Sequence, residues 1–323
     1  MRLFPTFFLP VVSLVAFLPQ AQATLSITMN YTSFDTGPTA GTALSDILKN
    51  DSWTGSTTDA DKLTTARGVM DTAVSMIENL FSGATGPAVT QTINVGWESH
   101  SGNTLATGGT NYFVSAPNYP FGSGSLNWDM DGTSTFFVDS SPLNNSEFSA
   151  STPSTRTIDL NGFAINAENR YYANFAGTDA GNNTDMLSVA IHEIMHAVGV
   201  LGGYPKFADL DIGSDGDLDL VANGATYQVA FSGGHTSETL PWDGPGTLGG
   251  SYYPNVIGPA IVTGTRGLLT DVDTLLLANI HDQALDDYAL VNQPFGTVPT
   301  LVPEPQTAIL TLLALLPLFR RKR

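Results

Sequence analysis

The chain has 323 residues, with Lys+Arg 12 against Asp+Glu 30 and a formal charge of -18, and it contains no cysteine. The acidic balance excludes the basic footprint that nucleic-acid binding requires, and the missing cysteine excludes disulfides and thiolate metal sites. Low charged content together with 32 glycines points to a loop-rich, strand-rich body rather than a helical bundle.

The first 23 residues have the order of a secretory signal peptide. Arg2 supplies a positive start, residues 3–18 are mostly apolar, and Ala21-Gln22-Ala23 is a small-residue cleavage site. Pro5 and Pro10 interrupt the apolar run, which speaks against a permanent anchor. The body, 24–292, is expected to be one large domain. Residues 25–29 alternate as a first strand does. Over 61–81, Leu63, Ala66, Val69, Met70, Ala73, Ile77 and Leu80 recur at helical spacing, so a helix packed on a sheet is expected. Strands are expected over 89–98, 111–115, 133–139 and 158–167, with a loop over 118–127.

Residues 187–202 carry the chemistry. His192-Glu193-Ile194-Met195-His196 is an H-E-x-x-H motif. Residues four apart share one helix face, so both imidazoles can reach one ion. Glu193 can reach a metal-bound water as general base. Leu187, Ala190, Ile191, Ile194 and Val198 form an apolar stripe, while Ser188, His192, His196 and Gly199 fall on the other side. Thr184 is the expected N-cap, with Asp185 in the first turn. Only five histidines occur in the chain, and two of them sit in this motif.

Downstream, Asp209, Asp211, Asp215, Asp217 and Asp219 alternate around glycines, a pattern that suggests a calcium loop. Gly213 occupies a ligand position, however, and Ala222 stands where a bidentate glutamate should close the loop. A solvated acidic turn is therefore the plainer reading and Ca2+ the second one. Residues 227–231 are an expected strand, followed by Gly233-Gly234-His235. Thr270 is the expected N-cap of a last helix. His281, beside Asp282 and Gln283, reads as a surface histidine.

The stretch His192-Glu193-Ile194-Met195-His196-Ala197-Val198-Gly199 resembles the metzincin signature HExxHxxGxxH, whose third histidine would fall at 202, where this chain has Gly202. In leishmanolysin-like metzincins a long insert separates the glycine from the third histidine. The resemblance thus implies His192, His196 and His235 as zinc ligands, with Asp209 and Asp211 the alternatives for the third; Glu238 lacks the helical surroundings expected of a glutamate ligand. Metzincins also carry a methionine turn beneath the metal. Residues 254–259 sit at the expected place, with Ile257 as the apolar floor. The fold implied is α+β, a mixed twisted sheet with a backing helix and the HExxH helix. The activity implied is zinc-dependent endopeptidase action on protein or peptide substrates, with Glu193 as general base. The alternative is a non-enzymatic envelope or matrix protein with a structural or vestigial metal site, but a structural site has no use for the base at Glu193.

After a linker over 293–301, Val302-Pro303-Glu304-Pro305 precedes a short apolar run and Arg320-Arg321-Lys322-Arg323. Tail 302–323 resembles the PEP-CTERM sorting signal of Gram-negative bacteria. The resemblance implies processing by an exosortase-type enzyme, transient membrane association through this segment, and a final place in the cell envelope or extracellular matrix.

Overall fold

A computed structural model of the chain describes residues 25–39, 41–80, 89–111, 123–139, 147–148, 154–160, 163–174, 177–222, 225–237, 240–241, 251–252, 256–281, 288–289 and 302–303. The segments expected to be a signal peptide (1–23), a linker (293–301) and, apart from Val302 and Pro303, a sorting tail (302–323) lie outside them, as does Glu238. Among the described residues no helix is long and apolar enough to cross a membrane.

The architecture is α+β, as expected. Strand β1 (Leu25–Asn30) leads into helix α1 (Asp59–Leu80), which crosses to β2 (Val89–Glu98). Strands β3 (Ala106–Asn111) and β4 (Ser123–Asp129) complete a four-stranded sheet of order β1-β2-β4-β3. The first three are parallel, and β3 runs antiparallel at the edge. In β1, Leu25 and Ile27 are buried while Ser26 and Thr28 are exposed, so one face of this strand meets the core. Helix α1 buries Leu63, Ala66, Val69, Met70, Ala73 and Ile77, the spacing seen in the sequence, and packs on β1 and on the HExxH helix. Each such large aliphatic side chain contributes about 1.5–3 kcal/mol on burial.

A hairpin of β5 (Ser154–Leu160) and β6 (Phe163–Tyr172) follows, and then helix α2 (Met186–Ala197). Strands β7 (Asp217–Ala222), β8 (Ala225–Ser232) and β9 (His235–Thr236) form a small antiparallel sheet. Strand β10 (Thr265–Gly267) pairs with β6, and helix α3 (Asp271–Ile280) closes the body. Three two-residue strands, Leu48–Lys49, Phe136–Phe137 and Thr184–Asp185, run parallel to one another and deliver the chain to the start of α2. One hydrophobic cluster runs from Leu25 to Ile280.

Several expectations change. The strand expected at 111–115 lies at Ala106–Asn111, its remaining residues being outside the described set, and Ser123–Asp129 is a strand where a loop was expected. Gly108 and Gly109 disguised the first, and Gly124 with three hydroxyl or amide side chains disguised the second. The single strand expected over 158–167 is instead divided between the two antiparallel arms of a hairpin, Ser154–Leu160 and Phe163–Tyr172. Of 133–139 only Phe136–Phe137 is strand. His281 is fully buried at the C-cap of α3 rather than on the surface, because the helix ends inside the body, against β7 and β6.

Candidate metal centre

Helix α2 is buried all round: every residue from Met186 to Ala197 is shielded from solvent, where an amphipathic helix with one open side was expected. Its cap is Asp185, not Thr184. The Asp185 carboxylate accepts the Ser188 N–H at 3.0 Å and the Ser188 hydroxyl at 2.7 Å, satisfying a donor at the helix start. Arg266 of β10, fully buried, holds that same carboxylate through Nη2 at 2.7 Å and reaches Asp139 through Nη1 at 3.1 Å. Its guanidinium also lies over the Phe148 ring at 4.2 Å. At the other end, buried Gln91 of β2 donates from Nε2 to the carbonyl of Ala197 at 2.9 Å. The helix stops at Ala197, and Gly199 takes φ 119, a backbone conformation that glycine adopts without steric cost.

The two helix histidines present one nitrogen each to the same point. His192 Nδ1 donates to the carbonyl of Val256 at 2.8 Å, and His196 Nδ1 donates to that of Val200. A carbonyl can only accept, so the proton of each neutral ring sits on Nδ1, which leaves the Nε2 lone pair bare. His196 Nε2 lies 3.1 Å from Nε2 of His192 and 3.1 Å from Nε2 of His235. Burial holds His192 well below the ordinary imidazole pKa and lowers His196 to about 4, while His235 is lowered by the same cause. All three rings are therefore neutral near pH 7. Facing lone pairs repel unless a cation lies between them.

His235 arrives from 39 positions away by a tight device. Ser232 pairs with His235 across the β8–β9 hairpin, and the two central residues, Gly233 and Gly234, take φ 61 and 91. Two positive φ values are what a two-residue type I′ turn demands. This turn leans on the chain leaving α2: a Cβ on Gly234 would stand 3.0 Å from the Gly202 nitrogen, and one on Gly202 would stand 3.2 Å from the Gly234 nitrogen. Gly202, where the resembled signature has its third histidine, is thus the place where the hairpin presses in to deliver His235.

Glu193 shares the site at 7% exposure. Its carboxylate lies 3.9 Å from His192 Nε2, and burial pushes its pKa up to about 8, a rise partly opposed by the N–H of Gly108 on β3. Strand and helix approach closely here, since a Cβ on Gly108 would fall 2.1 Å from the Glu193 carbonyl oxygen. Sequence reasoning missed Gly108, although a Gly-Gly pair between apolar stretches is a known mark of close backbone approach.

Donor chemistry and spacing fit a metal ion. Two ligands about 2.0–2.1 Å from a tetrahedral zinc stand about 3.3 Å apart, close to the nitrogen separations found. Among the described residues this is the one group of His, Asp or Glu side chains gathered tightly enough to hold an ion. Asp209 and Asp211 do not join it. Their loop is solvated: Asp211 accepts the Asp215 N–H, Asp215 accepts the Asp217 N–H, and Asp219 accepts the Ile212 N–H. The carboxylates of Asp211, Asp215 and Asp219 accept from nearby backbone instead of converging. Ile257, where the resemblance implies an apolar floor, is fully buried and follows Val256, the His192 partner, in the chain.

The trio and Glu193 line a cleft of about 940 Å³, walled by residues 103–108 of the edge-strand region and by Val189, Thr135, Asn183 and Ile261. Among the described residues lining it, Glu193 is the sole carboxylate, and there is no lysine or arginine. A scan against protein-family models and a search of curated proteins find no match to this chain, so the meaning of the site rests on its own geometry.

Proposed function

We propose that this protein is a zinc-dependent endopeptidase, metzincin-like in its ligand set. The observation that carries this reading is the convergence of three imidazole nitrogens beside a buried carboxylate, open to a cleft. Three histidines leave a tetrahedral ion one open position, as catalytic zinc sites do. A zinc ion held there supplies Lewis acidity toward water and toward a scissile carbonyl.

The remaining chemistry belongs to the chain. Glu193 accepts a proton from the attacking water and returns it to the leaving nitrogen, a role that favours a pKa raised toward neutrality. The Gly108 N–H holds the carboxylate in place, and the Nδ1 bonds to Val256 and Val200 keep the imidazoles aimed. Strand β3 is the antiparallel edge of the main sheet beside the cleft, so an extended polypeptide can pair along it. Among the described lining residues there is no counter-charge to a lysine, arginine, aspartate or glutamate side chain beyond Glu193 itself, which favours uncharged residues next to the cleaved bond.

Export, exosortase-type processing and an envelope or matrix location belong to the same proposal, supported by Ala21-Gln22-Ala23 at one end and the Pro-Glu-Pro tail with its basic terminus at the other. The deciding experiment is hydrolysis of a generic protein substrate by the purified chain. Cleavage should vanish with chelator and return with stoichiometric zinc. Inactivity of the zinc-loaded protein, or activity indifferent to chelator, overturns the reading.

A further inference from the structure

Asp273 does more than cap a helix. It stands in the first turn of α3, where Thr270 and Asp273 form a capping box: the Thr270 hydroxyl accepts the Asp273 N–H, and Asp273 Oδ2 accepts the Thr270 N–H at 2.9 Å and its hydroxyl at 2.8 Å. Those bonds complete the box. The same carboxylate takes two further donors from a distant segment, the Val256 N–H on Oδ2 at 3.3 Å and the Ile257 N–H on Oδ1 at 3.2 Å. All of this is sealed from solvent, with Asp273 and Ile257 at 0% exposure and Val256 at 5%. Val256 is held at its N–H by Asp273, and at its carbonyl it receives Nδ1 of His192 at 2.8 Å. One residue thus links the buried carboxylate to a ring of the histidine trio.

We propose that Asp273 is a positioning residue for His192: by fixing the Val256–Ile257 backbone it aims the Val256 carbonyl, which sets the Nδ1–H tautomer of His192 and points its Nε2 at the shared ion. This rests on the reading of the trio as a metal centre. The physical basis is that a metal-bound imidazole is oriented by whatever accepts its other N–H, and loss of such a partner typically costs 10–100-fold in metal affinity. Here the acceptor is a backbone carbonyl on a short segment, so its direction is only as firm as the hydrogen bonds that hold that segment.

The test is zinc affinity of the full chain by competition with a chromophoric chelator. Two variants at position 273 separate positioning from helix capping. Asp273→Asn has one acceptor oxygen and a donor NH2, so it cannot serve all four donors. Asp273→Ser is small and cannot reach Val256 or Ile257, and it provides a second reading should the asparagine variant fail to fold. Thr270→Val breaks the box but leaves the carboxylate to hold Val256 and Ile257. Both position-273 variants should lose 10–100-fold in zinc affinity. In selectively 15N-histidine-labelled, metal-free protein, one ring, that of His192, should lose its Nδ1–H signature. Thr270→Val should lower the metal-free melting temperature yet bind zinc within twofold of the parent. Unchanged affinity at position 273, or an equal loss in Thr270→Val, overturns the inference while leaving the metal centre standing. A parent chain that binds no zinc removes both.

Discussion

Two described regions of this protein carry the residue types of a metal site, and in only one of them do the donor atoms converge. The acidic loop over 209–219 has five aspartates at alternating positions, and the histidine trio draws on two segments 39 positions apart. In the loop each carboxylate that makes a bond turns back to a nearby backbone N–H or, for Asp219, also to Gln228. The loop is solvated, and its bonds run to neighbouring chain rather than to a shared point. In the trio the Nδ1 atoms of the two helix rings are spent on carbonyls, which leaves their two buried Nε2 lone pairs turned to the point that Nε2 of His235 also meets. What makes a binding site is donors held facing one another with nothing of the chain's own to bond, rather than a dense run of ligand-type side chains.

That contrast can be broken by substitution, beginning with the largest effect. Glu193→Gln should lower turnover by about 10²–10⁴-fold while zinc content, read by atomic absorption, stays at the parent level. Turnover within a few-fold of the parent would remove Glu193 from the chemistry. His235→Ala should weaken zinc binding by more than the roughly 10–100-fold typical of an outer partner, whereas Asp211→Asn should leave it unchanged, and added calcium should not shift the melting temperature of either. Zinc loss in Asp211→Asn would instead return the third ligand to the loop.

The scaffolds differ in the same way. Arg266→Leu leaves Asp185 and Asp139 as buried carboxylates without their cation, so chemical denaturation should show a loss of about 3–5 kcal/mol. Asp215→Asn, in a solvated loop, should stay within about 0.5 kcal/mol. Equal losses would mean that the loop is as much a part of the structure as the clamp on α2.

A further effect is one of pH. In the metal-free fold Glu193 keeps its proton up to about 8, while an ordinary glutamate releases it near 4.5. The folded state therefore binds a proton that the unfolded chain has lost between those values, so this group's contribution to stability falls as pH rises across that window. The depressed histidines act oppositely, their contribution being present above about 6.5 and lost on acidification. Both backgrounds share the histidines, so they cancel between parent and Glu193→Gln. The glutamine variant should become progressively more stable than the parent from pH 4.5 to 8, by an amount on the order of a few kcal/mol, and the difference should level off beyond. A difference that is flat with pH would mean that the carboxyl is ionised throughout.

What the sequence by itself determined was local and periodic. The alternation of Leu25, Ile27 and their neighbours marked β1, the 3.6-residue recurrence marked α1, Thr270 marked the cap of α3, and the four-residue spacing of His192 and His196 put two rings on one helix face. These follow from backbone geometry acting over a few residues, which any stretch of chain carries with it. Pairs of glycines were visible in the same way, but their meaning was not. Gly108 and Gly202 acquire their roles only because another backbone presses against each of them, and the Gly233-Gly234 turn delivers His235 only because it lands on Gly202. The sequence left His235, Asp209 and Asp211 all open as third ligand; packing of the β8–β9 hairpin on the exit from α2 brought His235 to the trio. Thr270 announced a helix start, yet nothing local tied Asp273 to Val256 or Val256 to His192. Burial made the same decision for His281 and for the whole circumference of α2. Convergence and desolvation are properties of segments meeting, and they exist only once the chain has folded.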